Sequence, residues 1–231
     1  MVDDTKQRLI QAAGEVFASK GFEAASVREI STLAGANIAA INYHFGDKQK
    51  LYLACLEQTV CSQQEDLACA PWTSPGLPPH ARLRAFIEGM LRSRLDPARP
   101  RWHMEIMLRE MAHPSPTCAE MVERFIRPMA ESLWSILGEF IPNAPQDRHG
   151  WVVGFSIVGQ VLFYYVHQPI VRTLMGDDEF NRLTVTELAE HITRFCLAAL
   201  GQGPAIQATV SQLAAVTHNL SGNPTPQGAS S

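Results

Sequence analysis

Residues 37–48, "NIAAINYHFGDK", place hydrogen-bonding and small apolar side chains close together near the start of the chain. An asparagine amide donates and accepts at once, so it can pair with adenine, and an alanine methyl group fits the methyl group of thymine. Tyrosine, histidine and lysine can reach phosphate oxygens. These residue types predict an interface with double-stranded DNA, and the side chains concerned are Asn37, Ala39, Ala40, Asn42, Tyr43, His44 and Lys48.

Two short helices must position these side chains. Ser26 and Glu29 have the spacing of a capping box, which predicts a helix that starts at 27. Gly35 and Gly46 can adopt the left-handed conformation that ends a helix, and Asn37 is a suitable N-cap between them. The positions predicted to face the core are Val27, Ile30, Leu33 and Ala34 in the first short helix and Ile38, Ile41 and Phe45 in the second.

The resulting pattern is a helix-turn-helix packed on a longer first helix, which Gly21 stops. A helix of seven or eight residues is unstable alone in water, so packing from behind must hold it. A short helix that is held in this way and has polar and small residues on its outer side fits the major groove. Lys48 stands beside the start of the following helix, which Asp47 caps, and a helix N-terminus attracts anions.

The rest of the chain is predicted to be helical as well, because strand signals are almost absent. Helices are predicted from 47 towards 67, over 81–95, 101–112, 117–140, 148–167 and 184–200, and weakly over 205–220, with a disordered end. Pro128 should kink the helix 117–140, because its ring removes a donor and clashes one turn back. We therefore expect an all-α protein with a DNA-binding domain at 1–47, a larger helical domain at 48–200 and a weakly structured tail at 201–231.

Composition limits the class of protein. The 231 residues are 46% hydrophobic and 18% charged, with a net charge of -4, which is globular and does not resemble a polybasic coat protein. No charged segment leads into an apolar run at the N-terminus, so we expect no signal peptide. The apolar residues 151–166 are few for a membrane span, and we interpret them as a buried helix rather than a membrane contact. Five cysteines without a CxxC pair favour a reducing, cytoplasmic setting.

Residues 27–52, together with "RLIQAAGEVFASKGFEAASV" upstream, resemble the DNA-binding segment of the TetR/AcrR family of bacterial transcriptional regulators. The "YHFGDK" run carries most of this resemblance. Two later segments, "FIRPMAESLWSILGEF" and "GFSIVGQVLFYYVHQPIVRTLMG", are similar to the subgroup with a CerR-type (CecR-like) C-terminal domain. One departure is Ser31, which stands where such motifs commonly place alanine but is small enough for the helix crossing.

The resemblance implies a homodimer that reads a palindromic operator, acts as a repressor by family habit, and releases DNA when a small molecule enters the C-terminal domain. Ser26 and Arg28 would then meet phosphates, as would Tyr43, His44 and Lys48. The residues that would face the bases or lie next to them are Asn37, Ala39, Ala40 and Asn42. No cofactor or metal is implied.

The methionine-rich region 86–134 suggests where a ligand would bind, because flexible thioethers and aromatic rings suit apolar or aromatic molecules. The residues expected to line this pocket are Trp102, His103, Met107, Phe125 and Trp134, although each of them could equally belong to an ordinary core. Helices 148–167 and 184–200 carry apolar stripes that would form a four-helix bundle across a two-fold axis. The same stripes could also fill the core of one subunit.

Three other functions compete with this reading. An enzyme could use His103 with Glu105, or His113 with Glu110, but no catalytic motif accompanies these pairs, and charged residues on a helix surface explain them more simply. A thiol redox sensor could use Cys55, Cys61 or Cys69, although no adjacent charge stabilises a thiolate. A ligand carrier without DNA binding is disfavoured by the intact caps around residues 26–47.

The predicted DNA-binding domain is electrically neutral. Six basic residues up to Lys50 are balanced by six acidic ones: Lys6, Arg8, Lys20, Arg28, Lys48 and Lys50 against Asp3, Asp4, Glu15, Glu23, Glu29 and Asp47. We therefore expect few phosphate contacts and a modest salt dependence, well short of the slope of about -10 seen for strongly basic repressors.

Overall fold

The computed structural model describes residues 2–61, 71–74, 76–144 and 147–202, and within these ranges every regular element is a helix. The elements are α1 (Val2–Ala24), α2 (Val27–Leu33), α3 (Ile38–Phe45), α4 (Lys48–Cys61), a 3₁₀ turn (Pro71–Thr73), α5 (Pro79–Leu95), α6 (Arg101–Ala112), α7 in three pieces (Cys118–Met121, Val122–Ile126 and Arg127–Leu137), α8 (Arg148–Val166), α9 (Gln168–Met175), α10 (Asp177–Arg182) and α11 (Val185–Ala199). The predicted all-α fold class is confirmed.

Glycines with positive φ separate the N-terminal helices. Gly35 (φ 60) follows α2 and Gly46 (φ 86) follows α3, at the two positions where the sequence predicts a stop. Gly21 (φ 81) breaks the regular geometry of α1, but the helix resumes for a further turn to Ala24. The prediction that Gly21 ends the first helix is therefore only partly correct. The regular helical geometry breaks at Gly21, but the last helical residue is Ala24.

The caps of the short helices differ in kind. Asn37 caps α3 as predicted, since its side chain accepts a hydrogen bond from the amide of Ala40 at 2.8 Å. The capping box predicted at the start of α2 is wrong, because Ser26 makes no side-chain cap bond. The Glu29 carboxylate instead forms an ion pair with Lys20 at 2.6 Å, which ties α2 to α1.

One apolar core holds α1 to α4 together and extends into α6 and α7. The aromatic rings of Phe17 and Tyr52 meet edge to face with centroids 4.8 Å apart. Trp102 of α6 lies directly over Gly14 of α1, where an added Cβ would come within 2.4 Å of the indole. The N-terminal helices thus share their core with α6, so the boundary predicted after residue 47 does not separate two cores.

A second core lies among α5, the last part of α7, α8 and α11. Its most completely buried members on α5 are Leu83, Phe86, Ile87 and Leu91. On α11, Leu188, Ala189, Ile192 and Cys196 are buried at helical spacing. Thr184 and Glu187 form a reciprocal capping box that starts this helix.

The helix around Pro128 shows how the chain accommodates proline. Residues Val122–Ile126 are π-helical, and Pro128 lies in the first turn of the α-helical piece that follows. A π turn and the start of a helix both accommodate the hydrogen bond that proline cannot donate. The irregularity predicted at Pro128 therefore appears as a π turn just before it.

Two helices, α9 and α10, were not predicted. They are eight and six residues long, and Gly176 (φ 85) separates them. Such short segments give too few turns for a reliable periodic signal. The predicted continuation of α4 beyond 61, the helix 205–220 and the tail beyond 202 lie outside the described residues. The predicted break at 70–81 is described apart from residues 70 and 75, and it is present: it holds the 3₁₀ turn Pro71–Thr73, and α5 begins at Pro79.

Candidate nucleic-acid interface

The inner face of α3 fixes its position. Ile41 is fully buried and Phe45 is 9% exposed, so these two residues face the first core as predicted. Ile38 is 43% exposed, and the prediction that it faces the core is wrong. Leu33 of α2 is 55% exposed, so the prediction that it faces the core is also wrong. Residue spacing predicts which face of a helix is apolar. It does not show how far the neighbouring helices extend along that face.

The outer face of α3 presents the predicted polar group. Ala39, Asn42 and Tyr43 are exposed, and Tyr43 is 80% exposed with its ring edge against His44, which is half-buried. Among the described residues, no side-chain hydrogen bond engages Asn42, so its amide is free to donate and accept at a base edge. Ala40 is half-buried and packs against the core, so it lies beside this surface.

Asn37 has a different role from Asn42. Its Oδ1 accepts the cap bond from Ala40 and is thereby fixed towards the helix backbone, whereas its amide nitrogen has no partner among the described residues. An asparagine needs both its donor and its acceptor for bidentate pairing with adenine. Asn42 is therefore better placed than Asn37 for base recognition.

The residues predicted to contact phosphates flank α3. Ser26 and Arg28 are exposed at the start of α2. Lys48 is held against the end of α1, because its Nζ donates to the Glu23 carbonyl at 3.1 Å and lies 4.6 Å from the Phe22 ring centroid. Asp47 caps α4 by accepting from the Lys50 amide at 2.8 Å.

Most charges in the N-terminal helices form local ion pairs. Arg8 lies 3.6 Å from Asp4, and Lys50 lies 3.5 Å from Asp47. With the Lys20–Glu29 pair, these contacts leave Arg28, among the described residues, as an exposed guanidinium beside α3 without an ion-pair partner. Buried Ser31 donates to the Arg28 carbonyl at 2.9 Å, so serine fits this helix crossing.

The five residues predicted to line a ligand pocket lie in different surroundings. Trp102, Met107 and Phe125 belong to the first core or pack against it. Trp134 belongs to the second core, with its ring centroid 4.0 Å from that of Trp151. His103 is buried and accepts a hydrogen bond from Arg99 at its Nδ1, at 3.0 Å. The structure therefore does not bring the five together as one group.

Polar contacts connect α6 to the N-terminal helices. Arg109 donates to the carbonyl of Ala18 at 3.0 Å and to that of Ser19 at 2.9 Å. The Trp102 indole donates to the Gln11 side chain at 3.0 Å. These bonds join the end and the middle of α1 to one face of α6, and α2 and α3 in turn contact α1.

A buried carboxylate adds a third connection. Glu110 of α6 accepts from the Tyr52 hydroxyl of α4 at 2.7 Å and from the amide and hydroxyl of Ser115, each at 3.0 Å. Burial and the bond to Glu110 raise the pKa of Tyr52 well above its usual range. Glu110 and His103 are therefore internal structural groups, and their interpretation as charged residues on a helix surface is wrong.

Cys55, one of the cysteines considered for redox sensing, is fully buried, and burial raises the pKa of its thiol well above its usual range. A thiol that resists ionisation is a poor redox sensor. The side chains of Cys61 and Cys69 lie outside the described residues. Within the described part of the chain, no cluster of three potential metal ligands occurs.

The helix α8 leaves a broad apolar face uncovered. Its buried residues are Gly150, Gly154, Ile157 and Val161, whereas Val152, Phe155 and Phe163 are exposed. By length and composition the helix could cross a membrane, and 22% of its apolar window is buried. The interpretation of residues 151–166 as a buried helix is thus wrong, because most of these residues are exposed or half-buried.

Known protein families match both parts of the chain. Residues 9–55 match the family of bacterial regulatory proteins of the TetR type, and residues 79–200, more than half of the chain, match the C-terminal domain of the HTH-type transcriptional dual regulator CecR. Curated relatives include the transcriptional repressor NicS of Pseudomonas putida, 40% identical over 60 residues, and CecR of Shigella flexneri, 49% identical over 55 residues. These alignments cover 26% and 24% of this chain and 28% and 24% of the relatives.

Solved structures share the fold at low identity. A putative fatty acid metabolism regulator of Clostridium perfringens has a TM-score of 0.63 at 16% identity and covers 84% of this chain and 97% of its own. FadR of Bacillus subtilis, solved in complex with stearoyl-CoA, has a TM-score of 0.58 at 14% identity and covers 83% of this chain and 97% of its own.

The N-terminal helix-turn-helix and the helical C-terminal region define a DNA-binding transcriptional regulator. The chain belongs to the TetR family of bacterial transcriptional regulators and carries a CecR-type C-terminal domain.

Proposed function

We propose that this protein is a cytoplasmic homodimeric repressor that binds a palindromic operator and releases it when a small molecule binds the C-terminal domain. The observation that carries the proposal is the free outer side of α3, where Asn42 and Tyr43 are exposed above buried Ile41 and Phe45. Asn42 reads base edges, with Ala39 and Ala40 beside it. Ser26, Arg28, Tyr43, His44 and Lys48 contact the backbone, and Asn37 does so through its amide nitrogen.

The exposed face of α8 supplies the dimer contact. Phe155 is 64% exposed, and Phe195 of the adjacent helix α11 is 58% exposed. Gly159 has open space around it, which allows a helix from a second copy to approach closely. Exposed aromatic residues on two neighbouring helices suit a four-helix bundle between two subunits, and an interface of this kind explains why α8 is so apolar.

Ligand binding acts on DNA through α4 and α6. The Tyr52–Glu110 bond joins α4 to α6, the Arg109 bonds join α6 to α1, and α4 itself contacts α3. Half-sites are separated by about one turn of DNA, so a small change in the spacing of the two α3 helices prevents simultaneous docking. The ligand must favour the released form by several kcal/mol to shift the population decisively.

Selection of bound fragments from a random DNA pool tests the proposal. The full-length protein should enrich an inverted repeat with half-site centres about one helical turn, or a multiple of it, apart. A control with Ile41→Asp, which removes the packing behind α3, should enrich nothing. Recovery of unrelated sequences by the wild-type protein would mean that this chain is not a sequence-specific regulator.

A further inference from the structure

A cavity of about 480 Å³ lies where α5 ends, α6 begins, α8 ends and the α10–α11 connection passes. Its size is that of small-molecule pockets in proteins. Leu95, Met104, Leu183 and Leu188 supply apolar walls, and the ring of Tyr164 closes one side. None of the five residues predicted to line a ligand pocket lies among the residues that line this cavity.

The charge in this cavity is strongly one-sided. Four arginines line it, Arg94, Arg99, Arg101 and Arg172, and among the described lining residues Asp96 is the one acid. Asp96 offsets part of this charge, because it opposes the lowering of the Arg99 pKa, and its Oδ1 also accepts from the amide of Ala98 at 2.9 Å. The charge of Arg172 is offset by an ion pair with Asp177, at 3.1 Å.

Arg94 lacks such compensation. Its side chain is partly buried, and among the described residues no carboxylate pairs with it and no side-chain or backbone acceptor bonds it. Burial first, and the charge of Arg99 second, lower the pKa of Arg94 to about 10, with Tyr165 opposing them. The guanidinium still remains charged at neutral pH. A partly buried cation without a counter-ion is costly, and a perturbed charged group that lines a cavity is a candidate for binding a ligand of opposite charge.

We propose that this cavity binds a small organic anion, with a carboxylate or phosphate head group on an apolar body, and that Arg94 pairs with the head group. The proposal rests on the proposed function only in assigning the release of DNA to this ligand. A guanidinium binds planar carboxylates and phosphate oxygens through paired donors. The apolar walls accept the rest of the molecule.

Arg99 connects the same cavity to the DNA-binding region. Its guanidinium bonds the carbonyl of Thr59 in the last described turn of α4, and it donates to the Ser93 carbonyl at 2.8 Å and to His103. An anion beside Arg94 also attracts Arg99, whose charge interacts with that of Arg94. A shift of Arg99 towards the anion weakens its bond to Thr59 and loosens α4, which contacts both α1 and α3.

Thermal unfolding of the full-length protein tests the anion site. Phenylacetate, benzyl phosphate and phenylacetamide share one apolar body and differ in head group. We expect at least one of the two anions to raise Tm by about 5 to 10 °C at roughly a hundredfold excess over Kd, and the neutral amide to have little effect. The anion with the larger effect identifies the head group that the cavity prefers.

Two variants connect the effect to Arg94. Arg94→Gln should weaken anion binding by roughly ten- to a hundredfold, because it removes a charged hydrogen-bond donor. Arg92→Gln is the matched control, since Arg92 is exposed on the same helix and bonds Glu88 at 2.5 Å. Without any ligand, Arg94→Gln should raise Tm by roughly 2 to 5 °C, because a partly buried charge without a counter-ion is removed.

Three results would overturn the proposal: an amide that acts as strongly as the anions, an anion response that survives in Arg94→Gln, or no response to either anion. A lower Tm for ligand-free Arg94→Gln would also contradict it, because Arg94 would then be a structural group. The thermal measurement contains no DNA. If an anion shifts Tm in an Arg94-dependent way but the protein selects no operator, the proposed function is refuted. The anion site is then still supported.

Discussion

Two asparagines on α3 show why the type of a residue does not define its role. Asn37 and Asn42 are both exposed, but Asn37 closes the first turn of the helix, whereas Asn42 has no intramolecular partner among the described residues. The sequence marks Asn37 as a cap through its position between Gly35 and Ile38. It predicts a recognition role for Asn42, because Ile41 and Phe45 define the opposite face.

Replacement of the cap should affect stability. Asn37→Ala should lower the free energy of unfolding by about 1 kcal/mol, because the amide of Ala40 loses its acceptor. Asn42→Ala serves as the control on the same helix and should change stability by less than about 0.5 kcal/mol. Urea denaturation of both variants measures the difference. Equal losses in the two variants would show that the cap bond contributes nothing.

The buried imidazole of His103 makes stability depend on pH. Burial, and then the charge of Arg99, lower the pKa of His103 to about 4 in the folded state. The unfolded state binds a proton near pH 6.5 and the folded state does not, so the free energy of unfolding falls from about pH 6.5 down to about pH 4. His103→Gln keeps an acceptor for Arg99 but does not titrate.

The difference between wild type and His103→Gln isolates this contribution. Urea denaturation across that pH range should show a loss of roughly 2–3 kcal/mol in wild type that is absent from the variant. If the two proteins lose stability in parallel, His103 titrates normally and its buried, neutral state is incorrect.

At the scale of elements, the contact between α1 and α6 depends on the absence of one side chain. Trp102 occupies the position that a Cβ on Gly14 would need, at 2.4 Å. Gly14→Ala should therefore destabilise the protein by about 1–3 kcal/mol through overpacking, despite the higher helix propensity of alanine. Gly76→Ala is the control, because open space surrounds Gly76.

Guanidinium denaturation followed by Trp fluorescence measures both glycine variants. A Gly14→Ala protein as stable as wild type would indicate that Trp102 moves away freely. In that case α6 could not transmit a displacement to α1 through this contact.

The elements also show what can be predicted from sequence. The helix-turn-helix was predictable because each boundary has a local signal, such as Gly35, Asn37 or Gly46. Ile38 and Leu33 were misassigned because burial depends on where neighbouring helices end. The capping box predicted at Ser26 is absent, because Glu29 pairs with Lys20 of α1 instead. Sequence spacing does not reveal this ion pair.

The cavity proposed as the anion site is harder to predict from sequence. Arg94 and Arg99 lie on either side of a Pro-containing turn, and no periodic pattern distinguishes them from surface arginines. Only the tertiary contacts with α4 and α8 place them in one cavity. Met107 and Phe125 were selected by residue type, and the same type equally suits the core in which they pack.

We propose that dimerisation covers the exposed face of α8. Phe155→Arg should convert the dimer to monomers while leaving the helical content unchanged, because Phe155 is 64% exposed within one subunit. Met111→Arg is the matched control, since Met111 on α6 is 53% exposed and lies outside the proposed interface. Analytical ultracentrifugation separates these outcomes, and a dimeric Phe155→Arg protein would place the interface elsewhere.

We propose above all that the free side of α3 reads base edges. The most direct test is the ratio of affinities for the selected operator and for a scrambled duplex, measured by fluorescence anisotropy with wild type and Asn42→Ala. We predict that the ratio falls by roughly ten- to more than a hundredfold in Asn42→Ala, while affinity for the scrambled duplex hardly changes. An unchanged ratio would contradict the claim, because sequence would then be read by another part of the protein.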